Sequence, residues 1–452
     1  MENFATFNFE KNNAVAIVIE NAKHYKIYRE RLREISDLKN LEIVVITKNN
    51  KKNPNQLKTW LVEDNLNFKV VEDQSRLKKK GLATKILGFA NRLNNWTFSQ
   101  MLLRRFPSGH SRKTLQIIEA SKFQLFLVQT FSKLVNRQKL WMVVNRLKTR
   151  GIANETASIL RNSDLVICTF IDQSRLWQLS ILDWCSRNKI ETSYWVASWD
   201  NLTNRVPLPF RVTDSIITWS EWQAKQAVEL WCYSPNNVYV YDPKVISKDL
   251  EKYLVDRLHR SEDVGTVFQV RYLGSSEGVV HAVDEVAILR ELIDHLEAFA
   301  SEGEIESIAV EVRVHPLVKS KEGLEQYSML RGKTNVLCNI TMPVGQSGLI
   351  FKDDDLEELA QFLFGADAVI GINTSLMIDA QALGIPVVAL PLEATSKRVN
   401  QNFHYMQLKE SAIFECPDNY KSFFEVLKKI VSKRFDQDIY QTNSKRFLGH
   451  RL

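Results

Sequence analysis

The chain has 452 residues and a formal charge of +7, with 44% hydrophobic, 10% aromatic and 25% charged residues. This composition excludes a disordered, collagen-like or coiled-coil chain, and the length suits two or three domains. The charge is uneven: residues 74–150 hold 17 lysines and arginines against one acid, Glu119, so the remainder is acidic.

In chain order, residues 14–20 (AVAIVIE) form a short β-branched apolar run and predict a buried strand. A charged helix is expected from about residue 25, then strands at 41–47 and 68–72. The basic block 74–150 interrupts this alternation. It resumes with a strand at 164–170, a helix near 174–188, and strands at 191–197 and 215–219. Residues 248–263 read as a linker between a domain at 1–247 and a second at 264–452. The second is expected to hold strands at 266–273, 308–314, 336–340, 368–372 and 387–390, with helices at 284–300, 354–364, 374–383 and 420–432. Repeated β-α-β units predict an α/β protein with two doubly wound parallel sheets. Ligands in such folds bind beyond the carboxyl ends of the strands.

The five cysteines are scattered and never spaced C-x-x-C, so free thiols in a reducing compartment are expected, with no disulfide framework and no zinc site. No basic stretch leads into an apolar one at the N-terminus, so no signal peptide is expected. The longest apolar run, 123–131, falls short of the roughly 18–20 residues of a membrane span. The expected location is the cytoplasm, with a peripheral place at the inner face of the plasma membrane as an extension.

Several strand ends carry chemistry-bearing residues. Arg313-Val314-His315-Pro316 ends a strand, with the proline stopping the ladder and the imidazole at the sheet edge. His315 there suits a phosphate oxygen, or else satisfies loop carbonyls. Asn373, Thr374 and Ser375 open a helix directly after a strand, with Asn373 or Thr374 as N-cap; exposed amides and the helix dipole would form an anion site. Asp379, one turn on, is placed to reach a ribose. An ordinary capped helix is the alternative. Gly274-Ser275-Ser276 is a third small turn, and His404 adds a second imidazole with a structural role as its alternative. In the first domain, Trp199 and Asn201 flank Asp200, giving a sugar-stacking face and a candidate base, or an Asx-turn. Glu20, His24 and Asp172 hold comparable positions. Asp436-Gln437-Asp438 and residues 353–355 read as solvated carboxylates, so no metal is expected.

The segments GINTSLMIDAQALGIPVVAL (371–390), RVHP (313–316), SWDNLTNR (198–205) and NFHYMQL (402–408) together resemble a bacterial glycosyltransferase-like family of the GT-B fold. That family is related to CDP-glycerol glycerophosphotransferases and to surface- and capsular-polysaccharide enzymes. Sialyl and Kdo transferases, which use CMP-sugars, are similar in pairing a His-Pro with a later Ser/Thr pair. The resemblance spans about 160–450 in order. It implies two Rossmann-like domains facing a cleft, and phosphate-binding roles for His315, Thr374 and Ser375. The family usually has Glu where this chain has Asp379, and the basic block 74–150 matches nothing in it.

The resemblance implies transfer from a nucleotide-sugar, CMP-linked by preference and UDP- or CDP-linked otherwise, to a polysaccharide or lipid-linked glycan acceptor. The nucleotide-sugar is a co-substrate and no cofactor is expected. Polyol-phosphate transfer from a CDP-polyol and a non-catalytic nucleotide- or glycan-binding scaffold are the alternatives. The basic block, a helical insertion with Lys and Arg beside apolar runs, suits an anionic membrane surface or an acidic glycan, and alternatively packs on the first sheet. No nucleic-acid partner is expected. The last helix is expected to pack back on the first domain.

Overall fold

The computed structural model describes residues 5–9, 12–19, 22–38, 41–48, 56–63, 66, 68–73, 89, 91–96, 130, 152–169, 176–196, 198–199, 201–204, 213–241, 250, 267–276, 280–302, 305–316, 318, 320–341, 353–372, 374–391, 394 and 403–448. The chain divides into two compact units, Met1–Pro243 and Lys244–Leu452.

In the N-terminal unit, β1 (Ala5–Thr6), β2 (Ala14–Ile19), α1 (Ala22–Ser36), β3 (Glu42–Lys48), α2 (Gln56–Glu63) and β4 (Lys69–Asp73) precede the basic block. After it come α3 (Asn154–Arg161), β5 (Leu165–Cys168), α4 (Leu176–Asn188), β6 (Glu191–Trp195), α5 (Asn201–Asn204), β7 (Ser215–Thr218), α6 (Glu221–Trp231) and β8 (Val238–Val240). The strands are all parallel, in the order β1-β8-β7-β6-β5-β2-β3-β4. The winding reverses between β2 and β5. Residues 15–19 and 165–168 are buried throughout, as continuous apolar strands covered on both faces must be.

The basic block lies outside the described residues apart from 89, 91–96 and 130. Its base is well defined. Asp73, at the end of β4 and 1% exposed, accepts hydrogen bonds from the Ala153 amide (3.2 Å), Thr156 Oγ1 (2.9 Å) and Trp177 Nε1 (2.7 Å). One carboxylate thus ties the last residue before the insertion to the start of α3 and to α4.

The C-terminal unit contains β9 (Val267–Leu273), α7 (Ala282–Ser301), β10 (Ser307–Arg313), α8 (Lys321–Ser328), β11 (Val336–Thr341), α9 (Asp353–Phe364), β12 (Ala368–Gly371), α10 (Ser375–Ala382), β13 (Val387–Ala389), α11 (Phe403–Glu410), α12 (Tyr420–Val431) and α13 (Gln437–Leu448). Its parallel sheet runs β11-β10-β9-β12-β13, so the winding reverses between β9 and β12. Each of these five strands starts and ends within one residue of its sequence-based expectation.

Burial alternates along β9 and β10. Phe268, Val270, Tyr272, Ile308, Val310 and Val312 face a core shared with α7, α8 and α12. Arg271, Glu311 and Arg313 stand on the other face. There Glu311 pairs with Arg271 at 3.2 Å and accepts from Thr341 Oγ1 at 3.0 Å. Within the C-terminal unit α13 is held by Gln441 Nε2, which donates to the Ala382 carbonyl at 3.1 Å, and by Ser444 Oγ, which donates to that of Ile413 at 2.9 Å. Two doubly wound units are the composition expected of a GT-B chain.

Candidate functional site

The register of the C-terminal sheet sets three of the sequence motifs on one level. Leu273 pairs with Arg313 on one side and Gly371 on the other, and Arg313 pairs in turn with Thr341. The turns that leave β9, β10 and β12 therefore start at the same height, on both sides of the point where the winding reverses. Open α/β sheets place their ligands at such a point, because the two connections depart in opposite directions and leave a crevice.

Glycines let these turns approach each other. The Gly274 amide donates to the Arg313 carbonyl at 3.0 Å. A Cβ at residue 274 would stand 2.9 Å from both the Arg313 carbonyl oxygen and the His315 nitrogen, so the β9 and β10 exits touch through backbone. At Gly371 a Cβ would stand 2.8 Å from Met377 Sδ and 3.1 Å from the Leu273 carbonyl oxygen. That absence of a side chain lets α10 begin tightly against the strand end.

Two hydroxyls in this crevice are uncommitted. Thr374 is the N-cap of α10, at φ −89 and ψ 151, yet its side chain accepts no capping hydrogen bond. Its Oγ1 is buried with no hydrogen-bond partner. Ser275, 2% exposed, sends its amide inward to Glu285 Oε1 at 2.7 Å, while its Oγ is likewise buried and without a partner at hydrogen-bonding geometry. A buried hydroxyl left unmatched costs on the order of 1–3 kcal/mol. They stand on the turns either side of the reversal, Thr374 at the N-terminus of an eight-residue helix, an end that favours an anion. Ser375 is exposed at the first position of α10, and Asp379 is 5% exposed one turn further.

His315 is half-buried, and its carbonyl accepts from the Val318 amide at 2.9 Å, which closes the turn at Pro316. Burial lowers the imidazole's pKa from 6.5, so at neutral pH the ring is uncharged and offers one N–H donor. Arg313 is engaged elsewhere. Its Nη1 lies 3.1 Å from Glu358 Oε1 and its guanidinium 5.7 Å from the Phe362 ring centre, both on α9.

The N-terminal unit treats its own strand-end loop differently. Trp199 and Asn201 are 6% and 5% exposed, so Trp199 is packed inside the unit, where sequence had suggested an open stacking face. Gln223, on α6 and 1% exposed, donates to the carbonyls of Ser198 (2.9 Å) and Trp199 (3.1 Å) and accepts from the Trp219 amide (2.9 Å). Trp219 Nε1 donates to the Val196 carbonyl and Trp231 Nε1 to that of Leu202, both at 2.9 Å. Ser198, Trp199 and Leu202, on either side of Asp200, are thereby held through their carbonyls. Tyr28 Oη lies 2.7 Å from the carbonyls of both Thr169 and Trp195, bridging the ends of β5 and β6.

Asp200, Glu20, Asp172 and Asn373 lie outside the described residues, as do the side chains of His24 on α1 and His404 on α11. Among the described residues no group of three or more His, Cys, Asp or Glu is placed to hold a metal ion, and no helix is long and apolar enough to cross a membrane. Sequence reading missed Glu285 and Gln223. Neither sits in a strand-end motif, and the only sign of each is an acid or amide inside an amphipathic helix.

No protein-family model matches the chain, and no curated protein sequence matches it. Solved structures do. UDP-GlcNAc 2-epimerase from Neisseria meningitidis bound to UDP-GlcNAc is 10% identical with a TM-score of 0.47, over 96% of this chain and 96% of that one. HepE of Anabaena in complex with UDP-glucose is 11% identical, at a TM-score of 0.40 over 96% and 98%. The apo form of the lipopolysaccharide outer core galactosyltransferase WaaB is 12% identical, at 0.44 over 96% and 95%. At these values the likeness says nothing of substrate or reaction.

Proposed function

We propose that this chain is a GT-B glycosyltransferase that moves a sugar from a nucleotide-activated donor to a surface-polysaccharide or lipid-linked glycan acceptor. The observation that carries the reading is the pair of buried, unmatched hydroxyls, Ser275 and Thr374, at the reversal point of the C-terminal sheet beside His315. These groups complete their hydrogen bonding when a phosphate arrives. The preference for a CMP-sugar over UDP- and CDP-linked donors comes from the His-Pro and Thr-Ser resemblance.

In this reading the nucleotide occupies the C-terminal unit and the acceptor the N-terminal one. The acceptor hydroxyl passes its proton to a base, Asp200 as first choice with Glu20, His24 and Asp172 as rivals, and its oxygen attacks the anomeric carbon. The bond from that carbon to the donor phosphate breaks, and the phosphate leaves with the electron pair. The α10 amides, Thr374, Ser375 and the His315 N–H take up its charge, which is the chemistry a site without a metal ion would use.

A thermal-shift series with CMP, CDP, UDP, GDP and dTDP, run beside His315→Ala, tests this. A ligand at 100 times its dissociation constant adds about 2.7 kcal/mol. The expected result is one nucleotide that stabilises the wild type and stabilises the variant less. CDP alone would turn the reading toward polyol-phosphate transfer. No shift with any of the five removes the donor site.

A further inference from the structure

Directly beneath the turn that leaves β9 lies an acid that the proposed chemistry does not use. Glu285 sits in the first turn of α7 and is fully buried. Its Oε1 accepts from the Ser275 amide (2.7 Å) and from Tyr272 Oη (2.9 Å), and its Oε2 accepts from Tyr327 Oη (2.5 Å). The donors come from β9, from the turn itself and from α8. Burial pushes the carboxyl's pKa up, while the bonds from Tyr327, Ser275 and Tyr272 act against that rise.

We propose that Glu285 is a positioning residue for the donor phosphate: by holding the Ser275 amide at 2.7 Å, it fixes the turn that packs through Gly274 against the His315 exit. This inference rests on the donor-site reading above. The Ser275 backbone cannot rotate without breaking a 2.7 Å bond to a carboxylate that is itself held from two further directions. With the carboxylate gone, the Ser275 amide would lose its acceptor and the turn its single conformation. Gly274, against the Arg313 carbonyl and the His315 nitrogen, transmits any shift of this turn to the His315 exit.

The test compares Glu285→Gln and Tyr327→Phe with the wild type, using whichever of CMP, CDP, UDP, GDP and dTDP stabilises the wild type. Calorimetric titration gives the affinity and urea unfolding the stability. Glutamine keeps the shape and one acceptor but loses the charge, and the dissociation constant is expected to rise about tenfold, the worth of one hydrogen bond to a charged group. Tyr327→Phe keeps the Ser275 bond and loosens the carboxylate, and a rise of about threefold is expected. A role confined to folding would instead lower the urea midpoint and leave the affinity of the folded fraction unchanged. Wild-type affinity in Glu285→Gln overturns the inference while the donor site stands. If Glu285→Gln does not fold, wild-type affinity in Tyr327→Phe overturns it. If the wild type binds none of the five, the donor-site reading itself falls.

Discussion

At the carboxyl edge of the N-terminal sheet, Gln223, Trp219, Trp231 and Tyr28 direct their side-chain donors to backbone carbonyls, whereas at the C-terminal edge Ser275 and Thr374 keep theirs unmatched. The first arrangement holds a loop still; the second leaves two buried hydroxyls for a ligand to complete, although the N-terminal edge also keeps a buried donor unmatched, Trp195 Nε1 at the end of β6. Both edges are carboxyl ends of parallel strands, so the fold does not account for the contrast. What differs is that side chains hold the N-terminal strand-end loop through its carbonyls, while the C-terminal turns carry hydroxyls without partners.

If that contrast is right, the two edges should respond oppositely to the loss of a polar side chain. The largest effect is expected at Gln223→Leu, which strands the Ser198 and Trp199 carbonyls and the Trp219 amide in a buried site. A loss of about 3 kcal/mol in urea unfolding is expected, at roughly 1–3 kcal/mol for each buried group left unmatched. A loss under about 1 kcal/mol would mean that the loop is held by other means.

Thr374→Ala should behave in the reverse way. A capping threonine costs about 1 kcal/mol to remove, but Thr374 does not cap and its hydroxyl is buried unmatched, so stability should hold or rise by about 1 kcal/mol. Its nucleotide affinity should nevertheless fall about tenfold by calorimetric titration. Equal losses of stability and affinity would erase the distinction between the edges.

The smallest effect concerns pH. Burial lowers the His315 pKa from 6.5, so the unfolded chain takes up a proton at higher pH than the folded one. Between the two values the unfolded state binds more protons, and stability therefore rises with pH through the window just below 6.5. Urea midpoints for wild type and His315→Asn should run parallel above that window. Within it the wild type should lose stability on acidification while the variant does not.

Much of this was legible in sequence, and the parts that were not share a cause. Runs such as 14–19 and 368–371 are β-branched and apolar, and their strands follow directly. The turns at Gly274, His315 and Thr374 were visible because small residues, His-Pro and an N-cap each announce themselves within a few positions. Their common height was not visible, since it depends on the pairing of Leu273 with both Arg313 and Gly371. The polar networks were hidden for the same reason. Glu285 reaches Ser275 across 10 positions and Tyr327 across 42, and Gln223 reaches Trp199 across 24. Tyr233 and Thr213, joined through their hydroxyls at 2.5 Å, are 20 apart and equally silent. Local propensity and periodicity report on a chain's immediate neighbours, whereas a buried hydrogen bond reports on which segments the sheet brings together. Trp199 shows the converse error: an aromatic beside an acid looked like a contact surface, and packing decided otherwise.

Asp73 has a consequence for how this protein can change over time. Its carboxylate holds the Ala153 amide at 3.2 Å, so everything from 74 to 152 departs from and returns to a single hook. Closing a longer excursion costs only logarithmically more than closing a short one. The number of residues between can therefore vary at little cost in closure, apart from the stretch around Leu93 and Asn94, which is buried. A lineage keeping Asp73, Thr156 and Trp177 would be free to redesign what the excursion meets while inheriting the sheet intact.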